Sequence, residues 1–168
     1  MQSIINATHA MSTSGYTTMS AITTKMHKLL LYWSKLNVTG FTIFAPIESA
    51  FTCDNVSGCT EATHFETVLL HYSPVYLPHG TLRFIMEIPT ISIHEIEIEI
   101  ESLTVTSFFG DSDIEIESVK VSLPPIYDDG CVIVYSIEQI FVINYINRKI
   151  VVHTKSSSNG RIPRDPEL

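Results

Sequence analysis

Residues 40 to 51, Gly40-Phe41-Thr42-Ile43-Phe44-Ala45-Pro46-Ile47-Glu48-Ser49-Ala50-Phe51, constrain the fold more than any other stretch of this chain. A glycine releases a β-branched and aromatic run and Ala-Pro stops it, so the segment reads as a short buried strand, a turn and one coil of helix. A second apolar run, Val132-Ile133-Val134-Tyr135, lacks the alternation of a half-exposed strand. Such a strand needs cover on both faces, and it is expected beside Phe41 to Phe44 in the same sheet.

The flanking segments read as helices in front and strands behind. Met19, Ile22, Met26, Leu29, Leu30 and Trp33 recur at helical spacing after Gly15, which predicts an amphipathic helix over 17–33. Phe65, Val68, Leu69 and Tyr72 predict a second helix over about 61–72, with Thr60 as N-cap and Pro74 and Pro78 beyond its end. After Pro78 the apolar period becomes two. Its parity changes predict breaks near His94-Glu95, Glu101-Ser102, Gly110-Asp111 and Glu117-Ser118, because a shifted parity turns the apolar side outward unless the chain turns or bulges. The expected product is an α+β domain: a meander of short strands, apolar on one face, with helices packed against it.

At 168 residues and 45% apolar content the chain can bury one core, expected over residues 1–143. Residues 144–168 then form a weakly ordered basic tail. Ten basic residues stand against 18 acidic ones, and five of the ten basic residues lie within 148–168. A net charge of −8 with no basic cluster in the body disfavours nucleic acid as a partner. No stretch approaches the roughly 18 to 20 apolar residues of a membrane helix. The opening residues also lack the basic and apolar regions of an export signal, so no signal peptide is read in the chain as given.

Three of the six asparagines, Asn6, Asn37 and Asn55, head N-x-Ser/Thr sequons, an excess that suggests a secreted protein with candidate N-glycans. Cys53 and Cys59 bracket a polar loop and can close a local disulfide in an oxidising compartment or remain free thiols. Cys131, at the start of an apolar run, reads as a small buried side chain. No metal site is expected, since the Cys53–Cys59 spacing is unusual for zinc and the seven histidines form no HxxxH pair.

No catalytic residue stands out. The chain has no GxSxG elbow, no phosphate-cradling glycine loop and no HExxH. Glu95, Glu97, Glu99 and Glu101 would line one side of a strand, where solvated charge opposes edge-to-edge association better than it holds a cation. Tyr127-Asp128-Asp129-Gly130 reads first as a turn leading into a strand.

Five separated segments, in order, resemble the fasciclin domain family in the form of plant fasciclin-like arabinogalactan proteins. They are Ile4-Ile5-Asn6-Ala7 through Ser14-Gly15-Tyr16-Thr17; Phe44-Ala45-Pro46 to Ala50-Phe51; Leu69-Leu70-His71-Tyr72-Ser73-Pro74; Ile88-Pro89-Thr90; and Pro125-Ile126-Tyr127-Asp128-Asp129-Gly130 running into Val132 to Ile137. Leu70 stands where a tyrosine is usual in the family's Tyr-His box. The resemblance implies a β-wedge of about seven short strands with N-terminal helices packed against it. It also implies a non-catalytic adhesion module without cofactor, outside the cell or at its surface, engaging matrix or cell-wall glycan, glycoprotein or like domains. His71 and Tyr72 are the binding residues it points to, with a hydrogen-bonded core histidine as the other reading of His71. Two competing functions are an enzyme of carbohydrates or small molecules using the acidic sheet face, and an intracellular domain with no adhesive role.

Overall fold

The computed structural model describes residues 2–34, 40–51, 67–82, 87–94, 97–107 and 114–141. Two helices open the chain, α1 (Gln2–Thr13) and α2 (Thr17–Ser34), joined by a tight turn in which Gly15 takes a positive φ of 89°. Ile4, Ala7 and Met11 form the buried stripe of α1, and Met19, Met26 and Leu30 that of α2, with Ile22 and Leu29 partly covered. The side chain of Trp33 lies outside the described residues.

The strands are β1 (Phe41–Pro46), β2 (Tyr72–Ser73), β3 (Glu87–His94), β4 (Glu97–Ser107), β5 (Ile114–Ile116), β6 (Val119–Asp128) and β7 (Val132–Ile137). They form one mixed sheet in the order β2-β1-β7-β6-β5-β4-β3. β1 and β7 run parallel from Phe41↔Val132 to Pro46↔Ile137, and the other described pairs are antiparallel. The end strands β2 and β3 lie against each other, so the sheet is nearly barrel-shaped. A 3-10 turn (Glu48–Phe51) follows β1, and a one-turn helix, α3 (His79–Leu82), precedes β3. The architecture is α+β.

Every residue of β1 and β7 is buried, because each strand has an apolar layer on both sides. Phe41, Ile43, Ala45, Val132 and Val134 face the helices, where they meet Met11, Met19 and Leu30. Phe44, Ile133, Tyr135 and Ile137 face the interior of the curled sheet, with Ile88, Leu103, Ile116 and Phe141. Continuous apolar sequence is what a strand between two such layers requires. Gly40 fits for a separate reason: a Cβ there would stand 2.5 Å from the Cys131 carbonyl oxygen and 2.7 Å from Tyr76 Cβ.

Three expectations need correction. The helix expected through Tyr72 is helical at 67–69 in its described part and gives way to a turn before Tyr72, which pairs with Ile43 in β2. The open edge of β1 takes this segment into its ladder, and the Phe44 N–H donates to the His71 carbonyl at 2.9 Å; tertiary pairing overrides the local helical spacing. No break occurs at Glu101-Ser102, because the β3–β4 ladder runs from Glu87↔Thr104 to His94↔Glu97 without a register shift. Long continuous pairing to β3 holds β4 straight through the parity change. Cys131 is exposed, not buried, because it belongs to the turn before β7.

Two expected breaks are present. β3 ends at His94, and β5 and β6 are joined by a two-residue hairpin in which Glu117 and Ser118 have φ of 50° and 64°. Positive φ at both central positions matches the twist of antiparallel strands. The Glu117 carboxylate helps to hold this hairpin, accepting from the Thr104 N–H at 2.7 Å. The Gly110-Asp111 break and the tail lie outside the described residues.

Candidate binding surface

His71 immediately precedes β2 and Tyr72 opens it, and their exposures are 1% and 0%. The His71 Nε2 accepts a hydrogen bond from the Phe141 N–H at 3.0 Å, so the ring proton sits on Nδ1 and donates to the Thr67 carbonyl at 3.0 Å. Its ring stacks on Phe141 at 4.8 Å, and Phe141 meets Phe44 edge-on at 5.6 Å. Burial, outweighing the Thr67 bond, lowers the His71 pKa to about 4, so the ring is neutral at ordinary pH.

The Tyr72 hydroxyl lies 2.8 Å from Thr23 Oγ1. Since Thr23 spends its proton on the Met19 carbonyl at 2.8 Å, Tyr72 is the donor. Burial, against the Thr23 bond, raises the Tyr72 pKa. Both residues are therefore internal ties, His71 pinning the chain beyond β7 and Tyr72 fastening β2 to α2. The fold offers neither side chain to a partner.

What the fold does present beside them is the meeting of two loops. Residues 74–78 leave β2 and are held from below by Thr42, whose hydroxyl donates to the Val75 carbonyl at 2.7 Å and accepts from the Leu77 N–H at 2.9 Å. Tyr135 adds a bond to the Leu77 carbonyl at 2.9 Å. Held this way, the loop exposes Val75 at 36% and carries Tyr76 to Asp128, where its hydroxyl donates to Oδ1 at 2.9 Å.

Asp128, Asp129 and Gly130 form the turn expected from Asp-Asp-Gly. Gly130 takes a φ of 82°, and its N–H donates to Asp128 Oδ1 at 3.0 Å. Asp129 Oδ1 accepts from the N–H groups of Cys131 and Val132 at 3.0 and 2.8 Å, and its Oδ2 accepts from the Tyr127 hydroxyl at 2.8 Å. Partial burial would raise the Asp129 pKa, but the Val132, Ser3, Tyr127 and Cys131 bonds together hold it down at about 2. Asp129 is thus a fixed anion tying α1 to the turn. The result is a small surface of Val75, Tyr76 and Asp128 beside the exposed Cys131, an apolar ring next to a carboxylate held by a main-chain N–H, while Tyr127 packs toward the helices.

Tyr76 and Thr42 escaped the sequence reading. The one available signal was a threonine inside an otherwise apolar buried run, since a buried hydroxyl requires a partner. Glu48, the acid of the Phe-Ala-Pro segment, also has a physical task. Its carboxylate accepts from the N–H and hydroxyl of Thr18 at 2.8 and 2.7 Å, capping the first turn of α2 from another element.

Of the sequon asparagines, Asn6 is exposed on α1, accepting from Gln2 Nε2 at 2.9 Å. Asn37, Asn55, Cys53 and Cys59 lie outside the described residues. Glu97, Glu99 and Glu101 stand in register opposite His94, Ser92 and Thr90. Among the described residues no group of three or more His, Cys, Asp or Glu is arranged to hold a metal ion. Among them, too, no helix is long and apolar enough to cross a membrane.

No family model matches this chain. The chain is similar to a protein of Arabidopsis thaliana that bears the name fasciclin-like arabinogalactan protein 20, with 30% identity over 171 aligned positions. The alignment takes in 97% of this chain and 35% of that relative, so the chain spans little more than a third of the relative's length.

Proposed function

We propose that this chain is a fasciclin-type domain acting as a non-catalytic adhesion module at the cell surface or in the wall matrix. The observation that carries the reading is the parallel seating of β1 against β7. It brings the Phe-Ala-Pro segment beside the strand that follows Asp-Asp-Gly, two of the resemblances in the sequence, as neighbouring buried strands. The similarity to a plant fasciclin-like arabinogalactan protein over 97% of the chain supports it independently.

In this reading the ligand is matrix polysaccharide or glycoprotein, and its contacts come from the surface of Val75, Tyr76 and Asp128. Tyrosine rings offer flat apolar faces with a polar edge, and carboxylates fixed by main-chain N–H groups accept hydroxyls without reordering. His71 and Tyr72 contribute by holding the loop beneath in place. A cell-wall glycan and glycoprotein array probed with wild type, Tyr76→Ala and His71→Ala tests this. Retention of the wild type and at least a fivefold loss for Tyr76→Ala, with thermal melts reporting that the variant is folded, is the expected pattern. No retention on any wall component, or equal retention of wild type and Tyr76→Ala, removes the proposed surface.

A further inference from the structure

Helices α1 and α2 enclose a groove of about 350 Å³ on the side away from the sheet, lined by Ile5, Thr8, His9, Ser20, Thr24 and His27. Its residues are mostly polar by name, yet its walls are apolar. The Thr8 hydroxyl donates to the Ile4 carbonyl at 2.7 Å, Ser20 to the Thr8 carbonyl at 3.0 Å and Thr24 to the Ser20 carbonyl at 2.9 Å. With those hydroxyls turned onto the backbone, methyl and methylene groups face the space, and Ile5 stands 47% exposed beside it.

One polar atom in this lining is unsettled. His27 Nε2 is buried and finds no hydrogen-bond partner among the described residues. A buried imidazole nitrogen without a partner costs about 1 to 3 kcal/mol, and a ligand that supplies the partner recovers it.

Charge selects the kind of ligand. The chain carries −8 overall, yet α1 and α2 contain no aspartate or glutamate; their basic side chains are His9, Lys25, His27 and Lys28. Lys28 is exposed one turn of α2 beyond Thr24. Among the described residues the two carboxylates that meet these helices are directed elsewhere. Glu48 binds Thr18 at the start of α2, roughly 13 Å along the axis from His27 at 1.5 Å per residue. Asp129 reaches Ser3, which at 3.6 residues per turn lies on the opposite side of α1 from Ile5, Thr8 and Ser12.

We infer that the α1–α2 groove binds a small apolar carboxylate, its hydrocarbon body against Ile5 and the threonine methyls and its head on His27 with Lys28 nearby. The volume, at the lower end of the roughly 300 to 1,000 Å³ of small-molecule pockets, suits a two-ring aromatic acid or a short fatty acid. The inference stands apart from the adhesion reading, since the groove uses no residue of the Tyr76 and Asp128 surface.

Titration of the ¹⁵N-labelled full chain with sodium 2-naphthoate and with uncharged 2-naphthylmethanol tests it. Naphthoate is expected to shift the amides of Thr8, His9, Thr24 and His27, with the alcohol binding at least about tenfold more weakly. His27→Ala should weaken naphthoate about tenfold, the loss of one charge-assisted hydrogen bond, and leave the alcohol unchanged. Thr24→Phe, filling the groove from an exposed position, should abolish both, and thermal melts report that each variant is folded. Equal binding of acid and alcohol, shifts confined to other parts of the molecule, no shift at millimolar naphthoate, or binding that survives Thr24→Phe each overturn the inference.

Discussion

Acidification from pH 7 to pH 4 should remove about 3 kcal/mol of stability through His71 alone. The folded protein needs this imidazole neutral: Nε2 must accept from the Phe141 N–H, and the ring is buried beneath Phe141 with 1% exposure. Its folded pKa of about 4 lies well below the ordinary 6.5. As pH falls through 6.5 the unfolded chain takes up a proton that the folded one refuses, so stability drains away, and the loss is complete once the folded pKa is passed. At about 1.36 kcal/mol per unit, the gap of about 2.5 units gives the stated figure. Above pH 6.5 the contribution is fully present and flat.

Urea unfolding of wild type and His71→Asn at pH 7, 5.5 and 4 measures it, because the variant keeps the other titrating groups and loses this one. The wild type should lose about 3 kcal/mol more than the variant across that range. The ring resonances of His71, followed by NMR in the wild type, should stay unprotonated down to about pH 4, which tests the same claim without mutation. Equal acid sensitivity of the two proteins, or titration of His71 near 6.5, would refute the buried acceptor role.

Gly40→Ala should cost about 1 to 3 kcal/mol by urea unfolding, because the new methyl meets the Cys131 carbonyl and Tyr76 Cβ with little room to yield. Tyr72→Phe should cost about 1 to 2 kcal/mol in the same assay, the loss of one buried hydroxyl bond to Thr23; a neutral result would mean that the hydroxyl does not tie β2 to α2. Asp129→Ala removes the acceptor of the Cys131 and Val132 N–H groups. It should raise the rate of Cys131 alkylation several-fold while leaving the core spectrum unchanged. Asp129 should also add stability above its ordinary pKa of 3.8 that is lost as pH falls toward 2, and the acid-unfolding curve of Asp129→Ala should lack that portion.

Local chemistry made much of this molecule readable in advance. The β1 and β7 runs announce strands covered on both faces because a half-exposed strand would alternate, and each proved wholly buried. Met19, Met26 and Leu30 mark the inner stripe of α2 because helical spacing is a property of neighbouring residues. The Asp-Asp-Gly turn was equally plain, since Gly130 alone among its residues tolerates positive φ without strain.

Tertiary structure decided the rest, wherever a group's fate depends on a partner distant in the chain. Tyr72 carries a helical spacing and becomes a strand residue because the edge of β1 lies open to it. His71 is an internal acceptor because Phe141, seventy residues on, arrives with an unpaired N–H. Tyr76 becomes a surface feature because Thr42 and Asp128, on two different strands, hold its loop. Periodicity within one segment records which side of it is apolar; it holds no record of which polar group will be waiting there when the segments close.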